Sequence, residues 1–161
     1  MDSPHYGDNL ITDLIGDRTL AVAESITGGS LAARIVAEPG SSAYFRGGIV
    51  AYANDVKQQI LGIEESVLRT RGAVSEECAV QMARGIRAVL RADIGIATTG
   101  IAGPDGATDL KPVGLVYTAI VTPDSEQVTR NIWAGERDEN IARTVEEGIR
   151  LLNEYLQGHE A

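Results

Sequence analysis

The chain is 161 residues long, 43% hydrophobic and 23% charged, which is ordinary globular usage and excludes a disordered chain or a coiled coil. A formal net charge of −9 opposes binding through nucleic-acid phosphates, an electrostatic process that needs a basic surface. The apolar runs are punctuated and too short for a membrane span, and residues 1–8 have neither a basic nor an apolar signal region, so a cytoplasmic protein is expected.

In chain order, apolar spacing predicts a short amphipathic helix over 9–17 and then a strand over 19–23. The segment 24–30, Glu-Ser-Ile-Thr-Gly-Gly-Ser, reads as a strand-to-helix turn that opens a helix over 30–37. A loop at 39–42 leads to a second strand over 47–52. A short helix follows to Leu61, capped by Asn54 or Asp55, and 64–70 can form another. Ser75 with Glu76 and Glu77 behind it is a helix start, with a capping hydroxyl followed by carboxylates that the helix dipole favours. That helix carries Cys78, Met82, Ile86, Val89 and Leu90 on one face. A strand over 93–99 runs into a glycine-rich loop, 100–113. Two strands, 114–121 and 126–133, read as a hairpin, and a final helix is expected to be capped by Asp138. Strands alternating with helices, then a hairpin and a last helix, imply one domain: a three-layer α/β/α sandwich with a mixed, mostly parallel five-stranded sheet.

The two histidines, His5 and His159, lie at the chain ends, so an imidazole-based triad or a His-rich zinc site is not expected. Cys78 is the sole cysteine, with no disulfide or redox partner, and reads as a small buried apolar residue. Twelve of the fourteen basic residues are Arg; only Lys57 and Lys111 are Lys, and only a lysine can give up its proton at working pH. Lys57 in the first turn of its helix has a lowered pKa if the dipole acts on it; the alternative is an exposed surface lysine. Ligands gather at the carboxyl ends of parallel strands. There the 24–30 segment is either an anion or oxyanion cradle or an ordinary turn. The 98–106 segment fits neither a P-loop nor a dinucleotide fingerprint, and Asp105 and Asp109 read as solvated loop carboxylates. Lys111 is more suited to neutralising a ligand or carboxylate than to acting as a base. Arg137 is either a phosphate clamp or half of a surface ion pair.

Six segments in this order resemble the C-terminal domain of the CinA family over about residues 8–157. They are Ala23-Glu-Ser-Ile-Thr-Gly-Gly29, Gly40-Ser-Ser-Ala-Tyr44, Gly48-Ile-Val-Ala-Tyr-Ala-Asn54 with Lys57, Gly72-Ala-Val-Ser75, Thr99-Gly-Ile-Ala-Gly-Pro104 and Lys111-Pro-Val-Gly114. The resemblance implies hydrolysis of the carboxamide of nicotinamide mononucleotide (NMN) to nicotinate mononucleotide and ammonia, by a serine/lysine pair without metal or other cofactor. Carried over, it makes Ser25 the nucleophile and Lys57 the general base, with Tyr52 and Asn54 orienting Lys57 or the carboxamide. It implies a cradle at Thr27, Gly28 and Gly29 beside Glu24, and a nucleotide pocket of Thr99, Gly100 and Gly103, with Lys111 and Arg137 also binding substrate. Ile26 stands where Cys or Leu is frequent, and Gly106-Ala107 replaces a frequent Gly-Gly. The larger family protein carries an additional N-terminal domain associated with ADP-ribose hydrolysis, so that activity is not expected here. Relatives commonly form dimers, and a homodimer or higher homo-oligomer is expected, with no nucleic-acid or membrane partner. The alternative function is a non-catalytic nucleotide-binding or competence- or repair-associated module of the same fold.

Overall fold

The structure, a computed structural model, describes residues 10–159; His5 lies outside them. Five strands form one mixed sheet in the order β2-β1-β3-β4-β5. These are β1 (Leu20–Glu24), β2 (Phe45–Val50), β3 (Ile94–Gly100), β4 (Leu115–Val121) and β5 (Glu126–Ile132). β1 pairs in parallel with both β2 and β3, whereas β3–β4 and β4–β5 are antiparallel. The helices are α1 (Ile11–Leu14), α2 (Ser30–Val36), α3 (Asn54–Leu61), α4 (Glu65–Thr70), α5 (Glu76–Leu90) and α6 (Arg137–Gly158).

Strand period 2 sorts the central side chains into two cores. Leu20 and Val22 of β1, Ile94 and Ile96 of β3 and Ile120 of β4 face α2 and α6, where Leu31, Ile35, Ile149 and Leu152 meet them. The alternate positions Ala21, Ala23, Ala97 and Ala119 face Cys78, Met82 and Ile86 of α5. Small residues on that face let α5 lie close to the sheet: a Cβ at Gly95 would come within 2.4 Å of the Ala83 carbonyl oxygen. The result is three layers, α2 and α6 on one side of the sheet and α3, α4 and α5 on the other.

Most element boundaries fall within a residue or two of the sequence expectation. β2 begins at Phe45 and ends at Val50, earlier at both ends than the sequence expectation, and the Ala51 N–H makes the last bond to β1, on the Glu24 carbonyl, before the chain enters α3. The cap of α6 is Glu136, in a reciprocal capping box with Glu139, in place of Asp138. Ser75 caps α5 as expected, its hydroxyl accepting from the Cys78 N–H at 3.2 Å. The carboxyl ends of β1, β2 and β3 open on one edge of the sheet, so the segments that follow them are brought together there.

Candidate active site

β1 ends on Glu24, and both carboxylate oxygens of that buried side chain accept main-chain N–H groups at the start of α2. Leu31 donates at 2.7 Å and Ala32 at 3.1 Å. An internal anion thus already occupies the α2 N-terminus, and Glu24 and the amides behind Gly29 face each other rather than a ligand. Gly28 and Gly29 take the left-handed backbone that the tight turn requires (φ 56° and 106°). The hydroxyls of this segment separate by partner. Thr27 Oγ1 bonds Thr98 Oγ1 at 2.7 Å, and Ser30 Oγ donates to the Thr27 carbonyl. Ser25, anchored by its N–H to the Thr98 carbonyl at 3.0 Å, turns its hydroxyl toward α3.

There Lys57 meets it. Its Nζ lies 3.0 Å from Ser25 Oγ and donates to the Tyr52 carbonyl at 2.8 Å. The Lys57 side chain is 1% exposed, and no carboxylate pairs with it among the described residues. Burial pushes its pKa below the ordinary lysine value. Cys78 is itself fully buried on α5, and burial raises its thiol to about 11. Tyr52 contributes its carbonyl, while its ring stands at the rim, 62% exposed.

These groups line a cavity of about 260 Å³. Of the residues singled out in the sequence, Ser25, Tyr52, Asn54, Lys57, Thr99, Gly100, Gly103 and Arg137 line it together. Glu24, Thr27, Gly28, Gly29 and Lys111 are not part of the lining. Thr99 reaches it with little of its hydroxyl to offer, because Oγ1 donates to the Ala73 carbonyl at 2.7 Å. Arg137 gives one guanidinium N–H to the Gly103 carbonyl at 2.7 Å. It stands between this cavity and a neighbouring one that shares Ala102 and Gly103. Lys111 Nζ goes to the Arg71 carbonyl.

Sequence reasoning missed the opposite wall, Ala73 and Val74, although Gly72-Ala-Val-Ser75 stood among the family-like segments. It also missed Ile26, Ile101, Ala102 and Gly106 as lining; Asp105 borders the cavity and is exposed, as the reading of a solvated loop carboxylate expected. The N–H of Ile26, the residue after Ser25, has no acceptor among the described residues. His159 ends α6, stacked on Tyr155 with ring centroids 4.3 Å apart, and takes no part in the site. Among the described residues no group of three or more His, Cys, Asp or Glu is arranged to hold a metal ion, and no helix is long and apolar enough to cross a membrane.

Comparison with known proteins gives the same outline. A family model described as the CinA C-terminal domain matches residues 8–156. A competence-damage inducible protein of Halothermothrix orenii is 49% identical over 140 residues, 86% of this chain and 34% of that one. A CinA-like protein of Thermotoga maritima is 44% identical over 156 residues, 95% of this chain and 38% of the relative. The chain therefore spans about a third of the length of these curated relatives. Among solved structures, competence damage-inducible protein A of Klebsiella pneumoniae superposes with a TM-score of 0.86 at 34% identity, covering 89% of both chains. Competence/damage inducible protein CihA of Agrobacterium tumefaciens gives 0.85 at 37% identity, covering 91% of this chain and 88% of that one.

Proposed function

Because the chain belongs to the CinA C-terminal domain family, we propose that it is an amidohydrolase that cleaves the carboxamide of nicotinamide mononucleotide, with Ser25 as nucleophile and Lys57 as general base. The observation that carries this reading is the 3.0 Å approach of Lys57 Nζ to Ser25 Oγ in a buried site where no carboxylate pairs with the amine among the described residues. An ammonium in that position lacks a counter-ion and loses its hydration, so burial shifts the equilibrium toward the neutral amine. The Tyr52 carbonyl takes one N–H of that amine, which leaves the nitrogen lone pair free to accept the Ser25 O–H.

The chemistry follows from that arrangement. Lys57 accepts the Ser25 hydroxyl proton as Oγ bonds to the carboxamide carbon. The carbonyl oxygen becomes an oxyanion, and the unpaired Ile26 N–H is suited to receive it. The Lys57 ammonium then returns the proton to the departing nitrogen, so that ammonia leaves and an ester to Ser25 remains. Water adds to that ester with Lys57 again as base, and nicotinate mononucleotide departs with Ser25 and neutral Lys57 restored. Arg137, on the same cavity and held by one N–H to Gly103, is the group suited to the substrate phosphate. Asp105 and Asn54, on the same lining, have no side-chain partner among the described residues and can take the polar groups between the two ends.

The test is to incubate the purified chain with NMN and follow ammonia and nicotinate mononucleotide, with Ser25→Ala as control. Equal amounts of both products from the native chain and none from the variant are expected. A native chain that binds NMN and releases no ammonia would instead be a non-catalytic nucleotide-binding module.

A further inference from the structure

Resting on the amidohydrolase reading, we propose that Lys111 is a positioning residue: it clasps the glycine-rich loop to the 71–74 loop and thereby sets the spacing of the two walls that receive substrate. The glycine-rich loop is closed at its base, where the Ile101 N–H donates to the Leu115 carbonyl and the Gly114 N–H to the Ile101 carbonyl. Its α6 side is bound from within. Asn140, fully buried, donates to the Ala102 carbonyl at 3.0 Å, and Arg137 donates to the Gly103 carbonyl. These bonds hold Ala102 and Gly103, which line the cavity.

The far side of the loop has a different attachment. Residues 108–111 close on themselves, the Thr108 N–H donating to the Lys111 carbonyl at 2.8 Å and the Lys111 N–H reaching Thr108 Oγ1 at 3.1 Å. From that turn the Lys111 stem crosses to the other wall, where Nζ donates to the Arg71 carbonyl. The end group lies over Gly72, so closely that a Cβ there would be 2.9 Å from Nζ. The next two residues, Ala73 and Val74, line the cavity, with Ala73 held by the Thr99 hydroxyl. Lys111 therefore joins two segments that both contribute to the cavity lining without itself lining it.

The chemistry of the head group fits this role. An ammonium is a compact point charge with three donors and reaches a main-chain carbonyl over a glycine where a planar guanidinium needs more room. In a chain whose other cations, Lys57 apart, are all Arg, the lysine stands where the approach is closest. The clasp is an exposed, charge-assisted hydrogen bond, in contrast to the buried Asn140 bond on the α6 side, so its loss loosens one attachment and leaves the rest of the fold in place. Ser25 directly follows β1 and Lys57 stands on α3, outside both loops, so substrate binding and the chemical step separate.

The experiment compares Lys111→Met and Lys111→Arg with the native chain. The readouts are KM and kcat for ammonia release from NMN, the rate at which phenylmethanesulfonyl fluoride labels Ser25, and amide hydrogen exchange of 71–74 and 102–111. Lys111→Met is expected to raise KM about tenfold while kcat and the labelling rate stay within about threefold. Exchange should quicken in both loop segments and not in the sheet, and Lys111→Arg should have a lower KM than Lys111→Met. Unchanged KM, or unchanged exchange at 71–74, would overturn the proposal, as would equal losses in kcat, labelling and sheet protection. A native chain that turns over no NMN defeats the functional reading alone, since the exchange comparison then decides the clasp by itself.

Discussion

Lys57 is buried without a carboxylate partner among the described residues, and this has consequences for pH and for stability. Burial lowers its folded-state pKa below the unfolded one, so between those two values the unfolded chain holds a proton that the folded chain lacks. Stability therefore rises with pH across that window, and at neutral pH or below the buried amine is a burden on the fold. Lys57→Met should abolish ammonia release yet raise Tm at neutral pH. A gain of about 1 kcal/mol corresponds to roughly 2–4 °C in a chain of this length. A lower Tm in that variant would mean that the amine is stabilised by something other than its hydrogen bonds to Ser25 and Tyr52. Ser25→Ala should lose on the order of 10⁴-fold or more in kcat, and the double variant little beyond either single one, because the two groups act as a unit. Cys78 makes a further check. With its thiol buried and its pKa raised to about 11, it should resist thiol reagents in the native chain and react promptly once the chain is unfolded.

Among the elements, the turn from β1 into α2 shows what a sequence can and cannot disclose. Hydroxyls and glycines at a helix start suggested an anion cradle, and the elements on either side followed from apolar period alone. What the sequence does not display is that Glu24, a residue of the strand, folds over to satisfy the Leu31 and Ala32 amides. The same hydrogen-bond arithmetic reserves Thr27 for Thr98 and leaves Ser25 as the hydroxyl beside Lys57. Glu24→Ala removes the carboxylate that satisfies the α2 N-terminus and should cost about 1–2 kcal/mol, read as a lowered denaturation midpoint. Stability equal to the native chain would show that solvent replaces the cap. Ala73 and Val74 were illegible for a different reason. Their place on the cavity comes from the Thr99 hydroxyl bonding Ala73 across 26 residues, a contact with no local periodicity to announce it. Asp105 is exposed, as a solvated loop carboxylate should be, and its place on the cavity rim has no local signal in sequence.

In the molecule as a whole, the two halves of the sheet divide the work. Parallel pairing of β2, β1 and β3 directs three carboxyl ends to one edge and assembles the site, while the antiparallel β4–β5 hairpin widens the platform beneath α5 and α6. Residue size decides the spacing of the layers. Alanines and Gly95 on one face let α5 lie close to the sheet, and branched side chains on the other face fill the layer against α2 and α6. This much was written in the order of strands and helices. The net charge of −9 sets the wider behaviour. On the proposed reading the substrate phosphate meets an acidic molecule and depends on Arg137 at the cavity wall, so Arg137→Ala should raise KM for NMN about tenfold or more with little change in kcat. A chain that held its substrate by other means would keep its KM.

The most direct test of the account is the pH dependence of kcat/KM for ammonia release from NMN by the native chain and by Lys57→Arg. The account predicts a rate that climbs as Lys57 loses its proton and levels off below the ordinary lysine range. It also predicts no measurable rate at any pH in the variant, whose guanidinium cannot take the Ser25 proton. A Lys57→Arg chain that releases ammonia with the native profile would contradict it.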